Sequence, residues 1–305
     1  MATVADTGYL ALTESCGLVD RSERGKLALT GSEAKAFLQG QVTNDIEGLE
    51  PGQGCYAAFL THKGKMLGDM RVFDLGDELL LDCERVVLQE LFNMIRRFKL
   101  GREVELHKRT LEMALLSVIG PDAPQLAGPE EHSNARVRVG EVDVVAVTTD
   151  VGADLFCASD DREALRAALD FPDGDEATAE IVRVERGRPR YGVDLDESVI
   201  PQEAGLNDRA VSFTKGCYVG QETVARLHYR GKPNRRLLGL RLSEPAPPGT
   251  ELRLGEKVVG RLGSVVVSPS LGPIGLALIR REAAVGDTVS ANGATGLIVD
   301  VPFSR

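Results

Sequence analysis

What most constrains this chain is a change of texture late in its length. Up to about residue 230, stretches with helical and with two-residue periodicity follow one another in no regular order. From Arg236 onward only short β-rich runs remain (237–242, 251–254, 258–267, 274–279 and 296–301), broken by Pro- and Gly-rich turns. The sharpest break is Ser243-Glu244-Pro245-Ala246-Pro247-Pro248-Gly249. Short strands at such spacing predict a small β-barrel or sandwich over 236–305. The irregular mixture over 1–235 predicts α+β subdomains with antiparallel sheets, because a doubly wound fold would need regular strand–helix alternation. The boundary falls at 231–236.

Within the first part, the spacing predicts a short helix in 6–20 that ends near Gly17, a strand at 26–29 and a helix from Thr30-Gly31-Ser32-Glu33 through Phe37, Leu38 and Val42. A hairpin, 55–60 with 66–73, turns at Thr61-His62-Lys63-Gly64. A strand at 79–83 precedes the clearest helix, 85–100. There Val87, Leu88, Leu91, Met94, Ile95 and Phe98 recur at helical spacing, and Gly101 ends it. Strands are expected at 103–107, 113–119, 142–148 and 155–158, helices at 162–169 and 177–186, and a proline-rich loop at 120–133.

Composition narrows the function classes. The 305 residues are 43% hydrophobic, enough to bury a large core, but aromatics are 5% and Trp is absent, so that core is aliphatic. A net charge of -10 argues against broad electrostatic binding to nucleic acid. Five cysteines (Cys16, Cys55, Cys83, Cys157 and Cys217) are an odd, widely spaced set, which suits neither a disulfide framework nor a zinc site. His62, His107, His132 and His228 are scattered, and no metal site is expected. No signal-like or membrane-spanning segment is apparent, so a reducing, cytoplasmic location is expected.

One window concentrates chemically capable groups: Lys215-Gly216-Cys217-Tyr218-Val219-Gly220-Gln221-Glu222. Its glycines suit a sharp turn or close backbone approach. A cation two residues before Cys217 favours the thiolate, as does a helix starting near Gln221. The competing reading is a strand-to-helix turn whose cysteine is a small buried hydrophobe. Upstream, a loop rich in ionisable groups runs from Arg186 to Leu206 and includes Pro201-Gln202-Glu203-Ala204-Gly205-Leu206. Asp69, in Met66-Leu67-Gly68-Asp69-Met70-Arg71-Val72, would lie on the opposite strand face from Gly68, and an acid there is usually an exposed-face residue. Arg226, His228, Tyr229, Arg230, Lys232, Arg235 and Arg236 form a basic stretch that reads either as a solvated face or as a set of carboxylate contacts.

The octet resembles the Lys-Gly-Cys-Tyr/Phe-x-Gly-Gln-Glu signature of the YgfZ family, and every fixed position is present. These are folate-binding relatives of the glycine-cleavage aminomethyltransferase, linked to iron–sulfur cluster assembly and repair and to tRNA modification. Phe37-Leu38-Gln39-Gly40-Gln41-Val42-Thr43-Asn44-Asp45 is a second similar block, and the resemblance runs from Gly17 through the barrel. It implies an aminomethyltransferase-like folate-binding fold, with ferredoxin-like subdomains intertwined over 1–235. It implies tetrahydrofolate or a derivative as cofactor, with Glu203 facing the pterin and Asp69 in the same pocket. Tyr218, Gln221, Arg226, His228 and Arg230 would be further folate contacts, and Cys217, Lys215 and Asp69 the reactive groups. Aminomethyltransferases carry paired acids where this chain has Gly68-Asp69, and the missing acid weighs against glycine cleavage. The expected role is therefore a folate-binding accessory protein with iron–sulfur proteins or assembly factors as partners. The alternative is a folate-dependent aminomethyltransferase.

Overall fold

The computed structural model describes residues 4–304, and its first two sheets are built by one interleaved path. Helix α1 (Val4–Glu14) leads into β1 (Gly17–Asp20), the first strand of sheet one. The chain then leaves to build the whole of sheet two: β2 (Gly25–Thr30), α2 (Ala34–Gln39), β3 (Gly54–Leu60), β4 (Met66–Asp74), β5 (Leu79–Cys83), a 3-10 turn at Arg85–Val87, α3 (Leu88–Phe98) and β6 (Glu105–Lys108). It returns to sheet one through β7 (Met113–Ile119), β8 (Asn134–Val139), β9 (Val142–Thr149) and β10 (Gly152–Ala158), followed by α4 (Arg162–Leu169) and α5 (Glu176–Glu185). A long loop with the single turn α6 (Asn207–Ala210) reaches α7 (Gln221–Arg230). The barrel closes with β11 (Arg235–Leu242), β12 (Glu251–Leu254), β13 (Lys257–Ser268), β14 (Gly272–Arg280), β15 (Thr288–Ala291) and β16 (Ala294–Val299).

All strand ladders are antiparallel. Sheet one runs β1-β7-β10-β9-β8, sheet two β3-β4-β5-β2-β6, and the barrel β11-β14-β13-β12-β15-β16. The α+β architecture with a C-terminal barrel is thus as expected. Three strands escape the sequence patterns, one of them β15, which lies between the expected runs 274–279 and 296–301. β1 is four residues long, too short to show a period, and starts at Gly17, where the expected helix was to end. β8 does alternate, with Arg136 and Arg138 outward and Val137 and Val139 half-buried, but it follows a proline-rich loop that hides its start. Helix α2 is shorter than expected and begins after Glu33 without a side-chain cap.

An aliphatic core under sheet two, with Leu27, Leu29, Leu38, Ile46, Leu81 and Leu91, is closed by α2 and α3. Each such side chain contributes about 1.5–3 kcal/mol on full burial. Phe73 and Leu80 of sheet two meet Leu115, Val145 and Phe156 of sheet one. Beside that contact runs a chain of ion pairs: Arg24 and Arg71 both fork onto buried Asp82, and Arg71 reaches on to Asp154 of sheet one. Burial alone would raise the Asp82 carboxyl, yet the two guanidiniums hold it well below the usual carboxylate range. The barrel is fastened to the body through Asp194. Its fully buried carboxylate accepts from Ser264 N at 2.7 Å, Ser264 Oγ at 2.9 Å, Arg190 N at 2.9 Å and Arg183 Nη1 at 3.0 Å.

Candidate functional site

A cavity of about 190 Å³ lies where the two sheets, α5 and the loop after it converge. Asp69 and Tyr56 face into it from neighbouring strands. The register pairs Ala58 with Asp69 and Tyr56 with Arg71, so Tyr56 is the diagonal neighbour of Asp69 on one sheet face. The Tyr56 hydroxyl donates to Asp69 Oδ2 at 2.6 Å. Asp69 is 5% exposed, not the solvent-facing acid that strand position alone suggests. Burial pushes its carboxyl up to about 6, against the opposing pull of the Tyr56 hydrogen bond. Burial and the adjacent acid push the Tyr56 hydroxyl well up, so it remains a donor. His132, Arg209 and Tyr191 also line the cavity. Burial lowers His132 to about 4, so it is neutral at pH 7. Arg209 lies over the Tyr56 ring, 5.3 Å from its centroid, and pairs with Glu131.

The position before Asp69 has no room for a second acid. A Cβ on Gly68 would sit 2.8 Å from the Phe59 ring and 2.9 Å from Val87. Core packing on that face is closed around the glycine.

The other residues expected around the same ligand lie elsewhere. Glu203 is as buried as Asp69 but accepts from Arg235 Nη2 at 2.7 Å and Nε at 3.1 Å, and from Ile200 N at 3.3 Å. It lines a separate cavity at the seam with the barrel, so the single pocket expected to hold Asp69 and Glu203 together is corrected to two. Gln221 is half-buried on α7, while Arg226, His228 and Arg230 are exposed, and none of the four lines the central cavity. His228 stacks on Phe213 with ring centroids 3.7 Å apart. Tyr218 is buried, and desolvation pushes its hydroxyl up to about 12.

Lys215 is also not the activator of Cys217 that adjacency suggests. Its three N–H donors go to the carbonyls of Gln39, Val42 and Asn44, at 2.6, 2.7 and 2.7 Å. Burial lowers its ammonium to about 8, with nearby acids opposing. It ties the octet to the end of α2. Gly220, the N-cap of α7, adopts φ +85 with its Cβ position 2.5 Å from the Thr61 carbonyl, so only glycine fits there. Cys217 precedes that cap by three residues, outside the first turn where the helix dipole acts. What distinguishes Cys217 is exposure. Cys55 is half-buried and the other three are buried. Desolvation pushes Cys55 up to about 12 and Cys157 up to about 11, and raises Cys16 and Cys83 as well. Cys217 does not line the central cavity.

Tyr56, Tyr191, His132 and Arg209 were not foreseen. Tyr56 lies on an expected strand, but its place diagonal to Asp69 depends on the register shift between Phe59 and Leu60, which the hairpin pattern does not show. The others reach the cavity from loops and α6, which carry no periodic signal.

This arrangement of two interleaved sheets, a central cavity and a C-terminal barrel is the fold of the glycine-cleavage aminomethyltransferases. The crystal structure of glycine cleavage system aminomethyltransferase T from Bartonella henselae superposes with a TM-score of 0.87, covering 98% of this chain and 89% of that one at 22% identity. Residues 1–148 match the family model of the GCVT N-terminal domain, and residues 234–302 that of the CAF17 C-terminal β-barrel domain. The aminomethyltransferase of Thermotoga petrophila is 29% identical over 325 residues, 97% of this chain and 88% of its own length. A chloroplastic protein of Arabidopsis thaliana, named as a candidate transferase, is 28% identical over 307 residues, 94% of this chain and 71% of its own length. Among the described residues no helix is long and apolar enough to cross a membrane, and no cluster of three or more His, Cys, Asp or Glu is placed to hold a metal ion.

Proposed function

We propose that the chain is a tetrahydrofolate-binding accessory protein that supports iron–sulfur cluster assembly or repair and the tRNA modification depending on it. The observation that carries this reading is the isolated buried acid: Asp69 faces the central cavity of an aminomethyltransferase fold, bound by Tyr56, with a glycine in place of a second acid. The donor set suits a folate. A carboxyl near 6 can accept from or donate to the amino and ring nitrogens of a pterin. The central cavity shares Asp150, Val151, Val182 and Arg186 with a neighbouring cavity of about 510 Å³, which adds room for the rest of a molecule larger than the ring. The Arg186 guanidinium has no hydrogen-bond or ion-pair partner among the described residues and could take a tail carboxylate. Bound folate would supply one-carbon chemistry; the chain's own residues bind and orient it and hold a proton at Asp69. Cys217 would serve clients from the surface.

Titration calorimetry with tetrahydrofolate tests the pocket. The wild type should bind, and Asp69→Asn should weaken binding by about tenfold or more. Equal affinity of the two proteins would remove the pocket from the reading. Complementation in cells lacking the native protein tests the thiol: Cys217→Ala should keep folate binding and lose support of iron–sulfur enzymes. The second reading, folate-dependent aminomethyl transfer, is favoured by similarity along nearly the whole chain to an aminomethyltransferase. Turnover in a glycine-cleavage T-protein assay would establish it.

A further inference from the structure

The seam between body and barrel holds a cavity of about 350 Å³ lined by charged and polar residues. Lys65 comes from the β3–β4 turn, Asn234 and Arg235 from the start of β11, and Arg280 and Arg281 from the end of β14. Glu203 and Glu282 complete it. The ladder sets two of these cations against each other, because Arg235 and Arg280 are directly opposite in the β11–β14 register. Like charges at opposed positions destabilise a strand pair. Glu203 compensates Arg235. Arg280 and Arg281 are solvent-exposed beside Glu282, and neither guanidinium has a hydrogen-bond or ion-pair partner among the described residues. The backbone N–H of Arg281 donates to the Asn234 carbonyl at 3.0 Å, which fixes Arg281 at the wall. Lys65 Nζ donates to Ser198 O and keeps two free N–H groups.

We propose that this cavity binds a small, multiply charged oxyanion of the phosphate class, such as pyrophosphate or a phosphorylated polyol. Lys65, Arg235, Arg280 and Arg281 set against Glu203 and Glu282 leave the wall two positive charges in excess, which a phosphate-class dianion balances and a single carboxylate does not, and the Arg forks and Lys point charge match several anionic oxygens. The walls contain no aromatic or large apolar side chain on which a base could stack, so a nucleotide is not the ligand this cavity suits. The site shares no lining residue with the central cavity, and its occupation does not depend on folate.

Calorimetry on the full chain with pyrophosphate, fructose 1,6-bisphosphate and AMP, each against chloride of matched ionic strength, is the test. Pyrophosphate or the bisphosphate should bind saturably, and AMP more weakly than either. The double variant Arg280→Gln/Arg281→Gln should lose at least about tenfold in that affinity. Arg138→Gln, on the edge strand β8, should lose none, and the double variant should bind tetrahydrofolate like the wild type. Absence of saturable binding below about 10 mM overturns the proposal, as does equal loss in the Arg138→Gln control. A stability measurement stands apart from any ligand. Without anion, Arg280→Gln should unfold at the wild-type temperature or above it, since it relieves the opposed charges. A clear fall would show Arg280 to be a structural partner and overturn the site.

Discussion

Asp69 and Glu203 are equally buried, each 5% exposed, yet the structure treats them in opposite ways. Glu203 is met by a bidentate guanidinium and a backbone N–H, and its own carbonyl accepts from Leu237 N at 2.8 Å, so it acts as a rivet between body and barrel. Asp69 has one neutral hydroxyl partner and no cation, and burial leaves its carboxyl near 6. A compensated buried acid holds structure together. An uncompensated one costs stability, and such groups concentrate at sites where a ligand or a proton is handled.

The largest expected effect comes from trying to restore the missing acid. Gly68→Asp drives a carboxylate into the Phe59 and Val87 contact, and should cost about 4 kcal/mol or prevent folding, combining overpacking with a buried charge. Urea denaturation measures it. A stable, folded Gly68→Asp protein would mean that the strand can shift to admit the side chain. Next is the rivet. Arg235→Ala leaves Glu203 buried without its cation and should cost about 3 kcal/mol, the low end for such pairs because the arginine is partly exposed. Tetrahydrofolate affinity should hardly change. If affinity falls while stability does not, the roles assigned to the two acids are reversed.

Asp69 makes a smaller contribution with a definite sign. Its folded-state pKa, about 6, lies above the ordinary 3.8, so the native state holds the proton more tightly than the unfolded chain does. Stability should therefore fall as pH rises through about 4 to about 6. Asp69→Asn should flatten that part of the pH profile and raise stability above it, which denaturation at a series of pH values will show. An unchanged slope would mean that Asp69 titrates normally. The smallest effect is expected at Cys217. Cys217→Ala should stay within about 0.5 kcal/mol of the wild type, as exposed substitutions do. In limited alkylation read by peptide mass spectrometry, Cys217 should label well before Cys55, Cys157, Cys16 and Cys83. Labelling of Cys55 at the same rate would show that its burial is transient.

The elements that were legible beforehand are those with a long enough period. The helix containing Leu91 and Ile95, the hairpin carrying Asp69 and the barrel strands other than β15 all show one. β1, four residues long, could not. The site was only half legible. Cys217 stood out by the residues around it, and Asp69 only through the family resemblance, since residue type alone read it as an exposed-face acid. That Lys215 faces three carbonyls and that Glu203 faces Arg235 was not readable, because neighbours in sequence say little about which way a long side chain turns.

By itself, the sequence determined the division into an α+β body and a β-barrel, through the change of period at Arg236. It also determined that position 68 carries no acid and that the chain holds an intact Lys215–Glu222 octet. Only the tertiary structure decided which of these groups share a space. The path leaves sheet one after β1 and returns at β7, so the central cavity takes its walls from segments far apart along the chain, Tyr56 and Asp69 from sheet two and His132, Tyr191 and Arg209 from loops and α6. Burial and counter-charge, which separate Asp69 from Glu203, are properties of that assembled surround, and local sequence does not encode them.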